Sequence, residues 1–432
     1  MKIKQISIQD FRGIDSLNLT LNGNNAIFFG VNGIGKSTVL RAVDLLFENI
    51  IWKITNSKKL ADLDIHDIRS GRARAEIKMV VTLSDNEMVY SRSISKENER
   101  KHNPRELSRL VECFKENYLV EPFEDNNGNW IVLEDKKNMP VFANYGVNRI
   151  ASDVKIESKN KAYNKLNAFD KAIEYKLDFD ELFIWLRNRE DIENQKKINN
   201  NINYQDIGLN AVKKAMFAML DYMGNTMEID RETMSLLVTK GDEKIDFNCL
   251  SDGEKCIIAL FGDIARRLVL ANPGMPNPLN GSGIVSIDEI DLHIHPQWQR
   301  KIIPTLQKVF PEIQFIITTH SPQVLYSVDS TFSIFMMKKE ASIITAEKVN
   351  RMDGFDSNYI LEEYMDTESR NDIINNTLDR IYCLIKRKEY SEAEKELDKL
   401  KLIQGPNKQE YITAMDYYNR KRMLDEADNQ RK

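Results

Sequence analysis

The sequence predicts an α/β fold: a mixed sheet built around a phosphate-binding loop, with a helical insertion and a helical carboxyl-terminal extension. Three observations carry that prediction. The run Ala26-Ile27-Phe28-Phe29 is continuously apolar, as a strand buried on both faces should be. It feeds Gly30-Val31-Asn32-Gly33-Ile34-Gly35-Lys36-Ser37-Thr38, a glycine-rich loop that opens a helix near Lys36. Two later apolar runs, Ile284 to Ile287 and Gln314 to Thr319, end abruptly in polar residues, while Arg74 to Leu83 and Glu87 to Ser93 alternate like an antiparallel hairpin.

From the amino terminus, residues 3–29 read as paired strands. In the loop that follows, Gly30, Gly33 and Gly35 let successive backbone N–H groups approach a polyanion, because no Cβ keeps them apart. Lys36 adds a point charge for β and γ phosphates, the Ser37 hydroxyl suits Mg²⁺, and Thr38 and Asn32 can contact phosphate at a helix amino terminus. A plain tight turn is the bland alternative, and it leaves the Lys-Ser pair unexplained. After the hairpin, residues 100–120 turn helical, and Asp125 to Asn129 read as a turn before a further strand pair.

Residues 153–240 read as a helical insertion separating two parts of one head, 1–152 and 241–367. Phe179 to Leu186 and Val212 to Met219 carry apolar residues at helical spacing, and Gln195 to Asn203 reads as a mobile polar stretch. The aromatic stripe in this insertion suits a core. No heptads persist over many turns, which excludes a long coiled-coil arm.

In the second part of the head, Leu250-Ser251-Asp252-Gly253-Glu254-Lys255 opens a helix, and a breaker-rich loop from Ala271 to Gly283 leads to the next strand. Asp288 ends that strand, where ligands bind in open α/β sheets, so it is expected in the Mg²⁺ shell, with Glu289 polarising an attacking water. His320 ends the following strand, before a turn forced by Ser321-Pro322, where it can sense a γ-phosphate by hydrogen bonding. These segments in this order point to ATP binding and hydrolysis, with Lys36, Glu289 and His320 as catalytic candidates and Ser37 and Asp288 as metal ligands.

With 432 residues, 42% of them hydrophobic, the chain can bury one large or two medium cores. A net charge of -5 gives no global basic field to advertise nucleic-acid binding, though local basic faces remain open. No apolar stretch approaches the roughly 18 residues of a membrane span, and the amino terminus begins at once with strand pattern, so a cytoplasmic protein without membrane association is expected. Cys113, Cys249, Cys256 and Cys383 lack metal-binding spacing, and His293 and His295 have no Cys or His nearby to complete a site.

Residues 368–432 read as a helical extension: Asp372 to Lys386, Ser391 to Leu402, and a segment including Tyr411 to Met423 with Tyr417-Tyr418. It suits a packing appendage or a docking platform in which the two tyrosines anchor a partner.

The motifs resemble a known class. Gly30 to Thr38 is similar to a Walker A motif of ABC/SMC ATPases, Leu250 to Lys255 to the ABC signature, Asp288-Glu289 to Walker B, and His320 to the switch histidine. Ile6 to Ile14 resembles the start of RecF-like and OLD-like ATPases, whose aromatic-Arg pair sits near the nucleotide, which implies that role for Arg12. Asp288 to Pro296 is similar to the DEIDLHLHP form of bacterial defence ATPases, and Val141 to Arg149 to their YYGxNR segment. The nearest resemblance is to the PtuA-type ATPases of Septu and retron-associated anti-phage systems.

That resemblance implies an ABC-type ATPase head using ATP and Mg²⁺ in an ATP-sandwich homodimer. Each nucleotide would lie between one phosphate loop and the partner's Ser251 to Glu254 segment, Gly253 included. It also implies a separate PtuB-like HNH nuclease as effector, and nucleic acid bound directly or through the complex. A RecF/SMC-like DNA-binding ATPase of repair or recombination is the alternative. An autonomous OLD nuclease is disfavoured because neither a Toprim nor an HNH constellation is evident, and a transporter ATPase because Ile290 replaces the usual proline. The Q-loop glutamine is not evident, leaving Asn144, Tyr145 or Asn148 for its place, and His295 holds the D-loop aspartate position, which together imply slow or regulated hydrolysis.

Overall fold

The computed structural model describes residues 1–57, 62–97, 100–119, 123–124, 130–131, 138–149, 162–174, 179–199, 202–220, 223–340, 343–349, 352, 360, 372–406 and 408–430. It divides into two compact units, Met1–Ser357 and Asn358–Lys432.

Within the first unit, β1 (Lys2–Phe11) and β2 (Ile14–Thr20) form an antiparallel hairpin. β3 (Asn25–Phe29) leaves it for a second sheet and delivers the glycine loop to α1 (Lys36–Thr55). The predicted hairpin is present as β4 (Arg74–Leu83) and β5 (Asn86–Ser95), which extend the first sheet, with β6 (Arg100–His102), in the order β2-β1-β4-β5-β6. α2 (Pro104–Tyr118) packs on α1 and β5. The short pair β7 (Phe123–Glu124) and β8 (Trp130–Ile131) flanks Asp125 to Asn129, so the turn expected there lies outside the described residues.

β9 (Val141–Tyr145) returns to the second sheet. The insertion then supplies α3 (Phe179–Asn199) and α4 (Ile207–Met216). Two readings need correction here. Gln195 to Asn199 is helix, held by an i,i+4 pair from Lys197 Nζ to Glu193 Oε1 at 2.5 Å, because local charge pairing suits a polar helix end. Past α4 the chain is not helical but forms an antiparallel sheet of β10 (Met223–Asp230), β11 (Ser235–Lys240) and β12 (Glu243–Asp246). Met227, Ile229, Leu236 and Val238 are its buried residues, a period-two pattern too short to stand out beside the helices.

α5 (Asp252–Ala271) leads to β13 (Gly283–Ile287), α6 (Pro296–Val309), β14 (Ile313–Thr319), α7 (Pro322–Tyr326), β15 (Phe332–Glu340) and β16 (Ile343–Val349). The second sheet has the order β16-β15-β3-β14-β13-β9, parallel throughout except for the β15–β16 pair. Every residue of β9, β13 and β14 is buried, which is why β13 and β14 read as largely apolar runs without charged residues. The loops after β3, β13 and β14 therefore leave the carboxyl ends of three parallel strands ordered β3-β14-β13 in one sheet.

Buried Gln314 joins the two sheets. Its side chain accepts from the Ile3 N–H at 2.6 Å and donates to the carbonyls of Ile3 at 3.0 Å and Asn24 at 2.7 Å.

The second unit is described by α8 (Asp372–Lys386), α9 (Tyr390–Gln404) and α10 (Gln409–Gln430) around Leu378, Ile381, Leu397, Leu400 and Ala414. Tyr418 belongs to this core and Tyr417 packs against it, edge to face with Tyr382 at 5.5 Å. The expected aromatic anchors are therefore packing residues, since helical periodicity turns them inward.

Candidate functional site

The site is built at the loops after β3, β13 and β14. Gly35 caps α1 with φ +96°, a conformation costly for any residue with a Cβ, and no side chain covers the first helical N–H groups, of which that of Thr38 bonds the Gly35 carbonyl at 3.1 Å. Lys36 folds back over its own loop, donating to the carbonyls of Gly30 at 2.9 Å and Val31 at 3.0 Å. Burial pushes its pKa down to about 8, against the opposing pull of Glu289, Asp288 and Asp291. Asn32 and Gly33 lie exposed at the loop tip, and Thr38 is half-buried in the first turn.

Ser37 Oγ donates to Asp288 Oδ1 at 3.1 Å, setting two hard oxygen ligands side by side. Thr318 Oγ1 donates to the same carboxylate oxygen at 2.5 Å and accepts from the Glu289 N–H at 2.7 Å. Glu289 has φ +48°, so its left-handed backbone is held from both sides of the turn. Its Oε1 lies 3.7 Å from His320 Nε2, and His320 Nδ1 lies 3.3 Å from Lys36 Nζ.

Burial and then Lys36 lower the His320 pKa below its usual value, which favours the neutral ring. Because Lys36 can only donate, the neutral ring accepts at Nδ1 and carries its proton on Nε2, directed to Glu289. Asp291 fixes this histidine from behind, accepting from Thr319 Oγ1 at 2.5 Å and from the His320 N–H at 3.2 Å. Buried Arg149 donates to the Asp288, Glu289 and Gly146 carbonyls. The sequence assigned no role to Thr318, Asp291 or Arg149, although Asp291 and Arg149 fall within the DEIDLHLHP-like and YYGxNR-like segments and Thr318 lies two residues before His320.

Lys36, Ser37, Asp288, Glu289 and His320 are thus brought together. The fit to a Mg²⁺-bound triphosphate rests on the Ser37–Asp288 oxygen pair and the uncapped α1 amino terminus.

The remaining candidates sit differently. Ser251 caps α5 in a reciprocal box, accepting from the Glu254 N–H at 3.4 Å while Glu254 Oε2 accepts from the Ser251 N–H and Oγ, both at 2.8 Å. Glu254, expected among the nucleotide ligands, is buried in this cap and paired with Lys240 at 2.9 Å, so the structure places it as a support for Ser251. Gly253 is required by close packing: a Cβ there would lie 2.6 Å from the His293 carbonyl. Ser251 and Gly253 line a cleft of about 990 Å³ with His293, His295, Trp298 and Arg300, and no phosphate-loop residue lines it.

Arg12 also has a positive φ, +50°. Its side chain pairs with Asp67 at 2.8 Å, and the neighbouring Gly13 shares the Ile344 side chain with Gly35, so the β1–β2 turn abuts the glycine loop. Of the three Q-loop candidates, two are removed. Asn144 is buried and donates to both Asp44 oxygens, at 2.9 and 3.0 Å, and to Ser286 Oγ at 2.8 Å. Tyr145 donates to Asp263 Oδ2 at 2.8 Å, inside a buried cluster with Arg266 and Arg267. Both point into the core because strand β9 has no solvent face; Asn148 alone of the three is exposed.

A family model described as "AAA domain, putative AbiEii toxin, Type IV TA system" matches residues 26–325, from β3 to α7. The chain belongs to this AAA family. It is 31% identical to the Retron Vc95 probable ATPase of Vibrio cholerae serotype O1 biovar El Tor, over 76% of this chain and 72% of that one. It is 28% identical to the Retron Ec83 probable ATPase of Escherichia coli, over 86% and 77% respectively. The Septu protein PtuA of Bacillus thuringiensis is 23% identical over 84% and 83%. Among solved structures, an SMC head bound to the C-winged helix domain of ScpA covers 81% of this chain and 98% of its own, with a TM-score of 0.50 and 13% identity. The family, its ATPase relatives and the SMC-head fold agree with the resemblance drawn from the motifs, and this AAA protein is an ATP hydrolase. No helix among the described residues is long and apolar enough to cross a membrane.

Proposed function

We propose that this AAA ATPase binds Mg²⁺-ATP between two copies of itself and uses hydrolysis to regulate a separate effector, an HNH nuclease, in anti-phage defence. The observation that carries the enzymatic part is the convergence of Lys36, Ser37, Asp288, Glu289 and His320 at the carboxyl ends of neighbouring parallel strands. Lys36, Asn32, Gly33, Gly35 and Thr38 would hold the phosphates, with Arg12 at the rim. Ser37 and Asp288 would hold Mg²⁺, which would supply charge neutralisation to the phosphates. Glu289 accepts the proton of the attacking water, and His320, whose Nε2–H lies beside Glu289, would hydrogen-bond the γ-phosphate from there without giving up its proton.

The dimeric part is supported by the separate cleft at Ser251 and Gly253. A helix amino terminus with an exposed serine suits a phosphate, and this cleft includes no residue of the chain's own phosphate loop. A second copy would supply that nucleotide. Contacts made only to the γ-phosphate disappear on hydrolysis, so the assembly reports nucleotide state. The effector assignment rests on the retron and Septu names of the relatives and on the motif resemblance.

Co-purifying the products of the native operon, and weighing the complexes with and without ATP, tests the whole reading. An ATP-dependent doubling of the ATPase and a captured HNH protein are expected. A chain that stays monomeric with ATP, or captures no nuclease, contradicts the corresponding part.

A further inference from the structure

Arg149 is almost completely enclosed, at 1% exposure; it hydrogen-bonds three backbone carbonyls and the buried Cys256 thiol, and no carboxylate is among these partners. Nη1 donates to the Gly146 carbonyl at 3.0 Å and to the Asp288 carbonyl, and Nη2 donates to the Glu289 carbonyl at 2.6 Å. These oxygens belong to the turns that follow two adjacent parallel strands, β9 and β13. Enclosing a cation against three carbonyls and a neutral thiol is unfavourable unless the geometry is good, and the adjoining backbone shows what the geometry secures. Glu289 sits at φ +48°, a region that residues with a Cβ visit rarely and only when their surroundings hold them there. A planar guanidinium can serve two successive carbonyls at once, whereas an ammonium is a point donor.

We infer that Arg149 is a positioning residue for hydrolysis: its fork locks the left-handed Asp288-Glu289 turn and thereby aims the Glu289 carboxylate. Thr318 holds the same turn from the β14 side, through the Asp288 carboxylate and the Glu289 N–H. Arg149 holds it from the β9 side through the carbonyls. The assignment rests on the catalytic reading of Glu289 given above.

The test uses the full chain with Arg149→Lys and Arg149→Met. A misplacement of about 1 Å at a catalytic group costs on the order of 100-fold in rate, so kcat should fall about 10- to 100-fold in the lysine variant. Affinity for a non-hydrolysable ATP analogue should stay within about twofold, because the phosphate loop is untouched. In a Glu289→Gln background, adding Arg149→Lys should leave the residual rate nearly unchanged, since both substitutions remove the same step.

Parental kcat in Arg149→Lys, or an equal fold loss in the Glu289→Gln background, overturns the inference. So does loss of the folded state in both variants, which makes Arg149 a core residue only. A Glu289→Gln protein that hydrolyses at the parental rate instead overturns the catalytic reading on which the inference rests.

Discussion

On the proposed reading, Lys36 should make ATP binding proton-linked. In the unliganded site burial pushes its pKa down to about 8, whereas phosphate oxygens around the ammonium favour the charged form. The folded-state pKa is depressed, so raising pH through 8 empties the charge that the triphosphate needs. About one tenth of the lysines are neutral at pH 7, half at pH 8 and nine tenths at pH 9. Binding should therefore take up about 0.1, 0.5 and 0.9 proton at those three values. Affinity follows the charged fraction and should fall about tenfold from pH 7 to pH 9, or about 1.4 kcal/mol. Calorimetry with a non-hydrolysable analogue and constant Mg²⁺, in two buffers of different ionisation enthalpy, reads both quantities. Lys36→Met should bind far more weakly and lose the linkage. A binding heat independent of buffer at pH 8, or affinity that rises toward pH 9, would refute this account of Lys36.

Glu289→Gln keeps a hydrogen-bonding side chain but loses the basic carboxylate, so nucleotide binding should persist while turnover falls at least ~100-fold, and steady-state phosphate release measures this directly. Gly253→Ala places a Cβ 2.6 Å from the His293 carbonyl, and overpacking of that kind costs about 1–3 kcal/mol. A lowered melting temperature is expected, and an unchanged one would mean that α5 shifts freely. Asn144→Leu leaves the buried Asp44 carboxylate without its amide donor, a loss of about 3 kcal/mol by analogy with broken buried pairs. Chemical denaturation should show that loss while ATP affinity stays parental; weakened binding with intact stability would return Asn144 to the nucleotide.

The residues that carry unusual chemistry were legible in the sequence, because a glycine-rich loop before Lys-Ser and a carboxylate pair after an apolar run have few other uses. The strands β3, β13 and β14 were legible for the same reason that their loops are functional: burial on both faces keeps charged residues out until the strand ends. What sequence left open is the direction of side chains. Asn144 and Tyr145 sit on a strand without an exposed face, so no alternation tells which neighbours they meet. Thr318, Asp291 and Arg149 act by holding other residues, and a hydroxyl, a carboxylate or a guanidinium in that role looks no different from one on the surface. Tyr418 shows the converse, an aromatic beside charges that turns into a core.

The composite site is tested most directly by complementation. Ser251→Arg obstructs only the nucleotide presented by a partner, and Lys36→Ala disables only a chain's own phosphate loop. Each variant alone should be nearly inactive. In an equal mixture half of the dimers are mixed and each of those holds one intact composite site, so about a quarter of parental activity per chain should return. Full activity of Ser251→Arg by itself, or no recovery on mixing two folded variants that still exchange partners, would contradict an ATP site shared between two copies of this chain.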